Sequence, residues 1–144
     1  MHLPDLNVLL ALAFEAHVHH PVARAWFENV QGCVVCRMTQ SGFLRLASNP
    51  TLFGAEALTL SDAWASFDTL LEDERFSFAL EPLGLEHMWR RLTMVESYSP
   101  KLWNDRYLAA FAITGNLTLT TLDRALDATL RGVQGLEVEL LGAV

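Results

Sequence analysis

Lysine is almost missing from this 144-residue chain. Lys101 is the only one, and ten basic residues in all face 17 acidic ones, leaving a net charge of −7. That balance argues against tight, non-specific binding of nucleic acid through a basic surface. It does not exclude nucleic acid at a site where clustered carboxylates recruit divalent cations and reverse the local charge. Acidic charge also suits a basic protein partner. No apolar run reaches the roughly 20 residues a membrane span needs. The first residues show neither a basic leader nor a small-residue cleavage site, so a soluble cytoplasmic protein without a secretion signal is expected. Cysteine is equally scarce. Cys33 and Cys36 form a C-x-x-C around Val34-Val35, with no second ligand pair at zinc-finger spacing. The segment reads as a buried strand, on which residues three apart face opposite sides, so the two thiols should diverge.

What is plentiful is apolar: 51% of residues are hydrophobic, among them eight Phe and four Trp. The length fits a single domain over 1–144 with a real core. His2-Leu3-Pro4 is a short extended entry. Residues 6–14 follow as a nearly all-apolar, hence buried, helix, and Asp5 stands between them where an N-cap is favoured. The connection EAHVHH carries three histidines. Pro21 is placed to open the next helix, which favours surface or substrate-adjacent histidines over a separate metal site. A second strand is expected at 33–36, then a helix over 38–48 with Thr39 as its cap and Gln40 in its first turn. Residues 51–60 read as a loop, and Ser61 as the cap of a helix over 62–74. A third strand falls at 75–80 and a helix over 86–97. The stretch SPKLWNDRYLAAFAITGNLTLTTLD should open a helix at Asn104-Asp105, turn at Gly115, form a fourth strand at 117–121 and place Asp123 directly after it. Residues 136–141 alternate well enough for a final edge strand.

Strands alternating with helices predict an α/β fold in three layers, with a mainly parallel central sheet of about four to five strands flanked by helices. Ligands of such sheets bind outside the carboxyl ends of the strands. Asp5, Gln40, Asp105 and Asp123 should all lie on that edge. Each acid has a plain alternative as a cap or a first-turn carboxylate favoured by the helix dipole. Together they repel, and a divalent cation relieves that repulsion. Oxygen donors in a partly hydrated site suit Mg²⁺, or Mn²⁺, rather than zinc.

With LPDLNVLLAL at the start, TQSGFLRLASNP in the second quarter and the 99–123 stretch near the end, the whole chain resembles a PIN-domain ribonuclease, more narrowly a VapC-type toxin of a toxin–antitoxin pair. The resemblance implies a PIN-like fold and Mg²⁺-dependent cleavage of single-stranded or loop RNA. It also implies a homodimer and a cognate antitoxin whose tail covers the acidic groove. By position, Asp5 and Asp105 resemble the principal metal ligands, Asp123 the third acid, and Asn7 and Thr121 their polar supports. Where the family commonly has a further acid, this chain has Gln40, whose carbonyl oxygen could coordinate weakly but adds no charge. A silent binding module that keeps the fold and the partner surface is therefore the rival. A phospho-acceptor receiver domain fits poorly, because this chain lacks the paired acid near Asp5, the acceptor Asp ending the third strand and the lysine beyond Lys101 that such a domain requires. Arg37, Arg45, Lys101, Arg106 and Arg124 are the cations available to RNA, although each arginine suits a plain surface role as well. Trp103 and Tyr107 suit core packing or a partner surface.

Overall fold

A computed structural model describes residues 1–142, which run β1 (His2–Pro4), α1 (Leu6–Ala13), α2 (His20–Phe27), β2 (Cys33–Val35), α3 (Arg37–Ala47), α4 (Pro50–Phe53), α5 (Leu60–Leu71), β3 (Phe76–Phe78), α6 (Leu85–Thr93), α7 (Lys101–Gly115), β4 (Thr118–Thr121), α8 (Arg124–Leu130) and β5 (Glu137–Leu140). The five strands form one sheet in the order β3-β2-β1-β4-β5, and every pairing is parallel. The chain therefore builds outward from β1 in one direction through β2 and β3. It then returns to the other side of β1 with β4 and β5. That reversal of strand order lies between β1 and β4, and it opens a crevice at their carboxyl ends.

Helices cover both faces. On one side Leu9, Leu10, Phe27, Cys33, Val35, Phe43 and Phe67 form a buried cluster beneath α1, α2, α3 and α5. On the other, Leu3, Val34, Cys36, Leu85, Tyr107, Phe111, Leu119 and Leu130 pack under α6, α7 and α8. Cys33 and Cys36 fall in different clusters, as alternation along a strand requires, and both are free thiols. Burial pushes the Cys33 thiol up to about 12, so it stays protonated and inert.

Several local expectations need correction. Helix α7 begins at Lys101, behind the fixed backbone of Pro100, so Asp105 is its fifth residue rather than its first. The residue that turns the chain after α7 is Asn116, at φ 54°, and not Gly115. Gly115 sits in close quarters, since a Cβ there would meet side-chain atoms of Leu117 at 3.2 Å and Pro82 at 3.3 Å and make them shift by a few tenths of an ångström. Helix α3 is capped by Cys36, while Thr39 supports the cap from the third helical position, accepting from the Cys36 N–H at 3.2 Å. Residues 51–60 are not all loop. Asn49 caps α4 by accepting from the Thr51 N–H, and a short 3₁₀ turn, Gly54–Glu56, follows. Thr59, not Ser61, caps α5, accepting from the Asp62 N–H at 3.1 Å. Helix α6 spans Leu85–Thr93 rather than 86–97.

Phe43 has no exposed surface and packs between Phe14 and Phe67, at centroid distances of 5.9 and 5.6 Å. Phe43→Ala is expected to cost about 3–5 kcal/mol of stability, read as a shift of the urea midpoint without a change in slope.

Candidate active site at the β1–β4 crevice

A cavity of about 650 Å³ opens at the carboxyl edge of the sheet, and Asp5, Asp105 and Asp123 all line it, together with Asn7. Register explains why the first and last acids meet. Pro4 pairs with Thr120 and the Asp5 N–H donates to the Thr120 carbonyl at 2.9 Å, so Asp5 leaves β1 beside Thr121 at the end of β4. The Thr121 hydroxyl donates to Asp5 Oδ2 at 2.5 Å and accepts from the Asp123 N–H at 2.9 Å, linking both acids through one side chain.

Capping and a place on the cavity wall coincide rather than compete. Asp5 caps α1, its Oδ1 accepting from the Val8 N–H at 3.1 Å. Asp123 caps α8 through Oδ1, which accepts from Ala125 and Leu126, while its Oδ2 lies 3.5 Å from Lys101 Nζ. Each ionised carboxylate offers about four acceptor positions, so capping leaves lone pairs free toward the cavity. Asp105 is half-buried, and its side chain takes no hydrogen bond or ion pair from any described residue. It projects into the cavity from the second turn of α7.

The electrostatics separate the three. Burial raises the Asp5 carboxyl to about 6; the Thr121 hydroxyl and Val8 amide oppose this, and the Asp123 charge adds to it. Burial also raises Asp105, against the nearby Lys101 charge and with the help of Asp123. For Asp123 burial acts upward, but the Leu126 and Ala125 amides and Lys101 outweigh it and hold the group below its usual range. Lys101 offsets part of the negative charge at Asp123, while Asp5 and Asp105 form no ion pair among the described residues. Oxygen donors of this kind fit a hard divalent cation that keeps several of its waters. Among the described residues, no group of three or more His, Cys, Asp or Glu side chains stands close enough together to hold a metal ion, so a cation at these acids would be held in part through its own waters.

Gln40 does not join the acids. It is buried on α3, off the cavity wall, with Oε1 accepting from an Arg37 terminal nitrogen at 2.5 Å. Of the five candidate cations, Arg37, Arg45 and Lys101 line the cavity. Arg106 instead donates to the Leu92 carbonyl at 2.9 Å, and Arg124 is exposed beyond the cavity. Of the EAHVHH histidines, His17 and His19 lie on the connection from α1 to α2 and His20 is the first residue of α2, all at the opposite edge of the sheet, where His20 Nδ1 meets the Ala11 carbonyl at 2.7 Å. Tyr107 is a core residue; Trp103 is 57% exposed.

Two wall residues escaped the sequence reading. Glu81 accepts from the Tyr107 hydroxyl at 2.8 Å, and Trp89 packs edge-on against Tyr107 and Trp103. Glu81 could have been found by the rule that found Asp5, since it too follows a strand toward the carboxyl edge. Trp89 carried no such signal, because its amphipathic helix reads as ordinary packing.

The PIN domain family model matches residues 3–130. Ribonuclease VapC41 of Mycobacterium tuberculosis is 45% identical over 148 residues, an alignment covering 98% of this chain and 99% of that protein. Among solved structures, VapBC2 from Rickettsia felis, bound to a DNA fragment from its promoter, superposes with a TM-score of 0.68 at 13% identity, covering 97% of this chain and 98% of that one. Mycobacterium tuberculosis VapC20, a Sarcin-Ricin loop cleaving toxin, gives a TM-score of 0.63 at 14% identity over 90% of this chain and 95% of its own. The chain belongs to the PIN-domain family, and within it to the VapC-type toxins.

A carboxyl raised on folding favours the protonated state, so its contribution to stability is full below the unfolded value near 4 and is lost as pH rises through about 6. Without divalent cation, Asp5→Asn should melt above the wild type at pH 7, by up to about 3 kcal/mol for a shift of this size. The gap should close as pH falls to 4. Thermal melts across that range measure it.

Proposed function

We propose that this chain is a metal-dependent endoribonuclease and the toxin of a toxin–antitoxin pair. The observation that carries the reading is the meeting of three carboxylates in one crevice at the sheet's switch point, two of them joined through Thr121. Kinship with ribonuclease VapC41 supports RNA as the substrate. Asp5, Asp105 and Asp123 would hold Mg²⁺, with Mn²⁺ as an alternative. When bound, the ion supplies charge at the scissile phosphate and a water acidic enough to act as nucleophile. Thr121 fixes the Asp5 carboxylate toward the cavity and sets the Asp123 backbone. Asp105, the acid without a hydrogen-bond partner among the described residues, would be free to orient the attacking water. Asn7 stands at the mouth as a polar support.

A protein partner is supported by the solved VapBC2 complex. It is also supported by an apolar surface on this chain, where Leu80, Leu83, Met94, Tyr98 and Trp103 are exposed around α6 and the start of α7. We assign that surface to a homodimer or to the cognate antitoxin. The absence of charge at Gln40 sustains a second reading, a silent module that keeps only this partner surface.

Purified wild type should cut RNA at discrete positions when Mg²⁺ is present and stop in excess chelator. Asp5→Asn and Asp105→Asn should each lower the rate by at least about 100-fold while melting as folded proteins. In cells, induced wild type should arrest growth and Asp105→Ala should not. A well-folded wild type that cuts no RNA with Mg²⁺ or Mn²⁺ would leave the silent module.

A further inference from the structure

One face of α3 carries Arg37, Ser41 and Arg45 at four-residue spacing, and all three line the cavity that holds the acids. Residues spaced by four lie near one another on one side of a helix, and the backbone positions of the two arginines stand roughly 12 Å apart along its axis. We propose that this face is a phosphate track that carries single-stranded RNA to the acids, and that Gln40 holds Arg37 on it. The inference rests on the ribonuclease reading.

The charge pattern is the first support. Arg24, Arg75, Arg90 and Arg131 each pair with a carboxylate on their own surface. Lys101 faces Asp123. Arg37, Arg45, Arg91, Arg106 and Arg124 have no carboxylate within ion-pair distance among the described residues, and of these five it is Arg37 and Arg45 that line the cavity. A cation in the first turn of a helix also opposes the helix dipole, so helix stability does not account for Arg37.

The second support is how Arg37 is held. Its guanidinium sits 4.7 Å above the Phe78 ring and donates to Gln40 Oε1 at 2.5 Å. Arginine only donates, so the amide must present its oxygen, and the partner is neutral. The contact fixes direction without cancelling charge. A glutamate at the same position would accept the same hydrogen bond and neutralise the cation. Gln40 is therefore a positioning residue for substrate, and its lack of charge is the property that matters.

The test uses the full chain carrying Asp5→Asn, so that RNA is bound but not cut. Its affinity for a fluorescent single-stranded RNA is titrated between 50 and 200 mM salt, on the order of the range over which phosphate contacts are resolved. Arg37→Met and Arg45→Met should each weaken binding several-fold and lower the salt slope by about 0.7, the value for one phosphate contact to a single strand. Gln40→Glu should weaken binding in the same sense, and in the otherwise wild-type chain it should raise KM more than it lowers kcat. Arg24→Met, on α2 away from the cavity, should change neither affinity nor slope. Unchanged binding in both α3 arginine variants, beside a wild type that cuts RNA, would overturn the track and leave the ribonuclease standing. Stronger binding or faster cleavage in Gln40→Glu would overturn the role given to Gln40. Slopes lost as expected in a chain that cuts no RNA would support the track and overturn the ribonuclease.

Discussion

The hydrogen bond from Thr121 to Asp5 joins the ends of the two central strands, and the crevice depends on it. Burying a carboxylate costs several kcal/mol unless it is paired or hydrogen-bonded. Asp5 is almost fully enclosed, with only the Thr121 hydroxyl and the amides at the start of α1 to compensate. The same hydroxyl accepts from the Asp123 amide, so one threonine sets the position of two acids. A register slip of one residue between β1 and β4 would turn Thr121 to the other face and separate them. The precision of the site therefore comes from the parallel ladder and not from any loop.

Helix capping is the second device. Asp5 and Asp123 each satisfy orphan amides of a helix start and each line the cavity. In a parallel α/β sheet, helices begin at the carboxyl edge of the strand that precedes them. A capping acid is thus delivered to the ligand-binding edge by topology alone. Asp105 arrives differently, from the second turn of a helix that starts at Lys101. Its freedom from capping leaves it without a hydrogen-bond partner among the described residues, which is the ground for the water-orienting role proposed for it.

Around this acidic centre the walls differ. Helix α3 presents unpaired arginines and a serine, while α6 and α7 present Trp89 and Tyr107, with Glu81 held by the tyrosine. An acidic chain with few cations has placed two arginines without an ion pair among the described residues on the wall of the cavity its carboxylates line. On the proposed ribonuclease reading an RNA strand would use both, its phosphates at the arginines and its cleavage at the charge the acids would recruit.

Much of this was legible in the residues. The alternation of strands and helices, the divergence of Cys33 and Cys36, and the positions of Asp5 and Asp123 directly after strands follow from side-chain period and cap chemistry, which are local. The element boundaries that failed, at Thr59, at α4 and at Lys101, turned on which of several neighbouring hydroxyls or prolines met the backbone, and local sequence offers near-equivalent choices there. Gln40 was expected among the acids because a place in the first turn after β2 fixes an edge of the sheet but not a direction around the helix axis. Its side chain turned to Arg37 instead, and Glu81 took a place on the wall. The amino-acid order by itself determined the fold class, the edge on which the acids gather and the kinds of donor they provide, because period, capping and topology are properties of the chain. Only the tertiary structure decided which side chains share the cavity and how far burial raises Asp5. Those depend on packing between elements distant in sequence, and on the water that such packing removes.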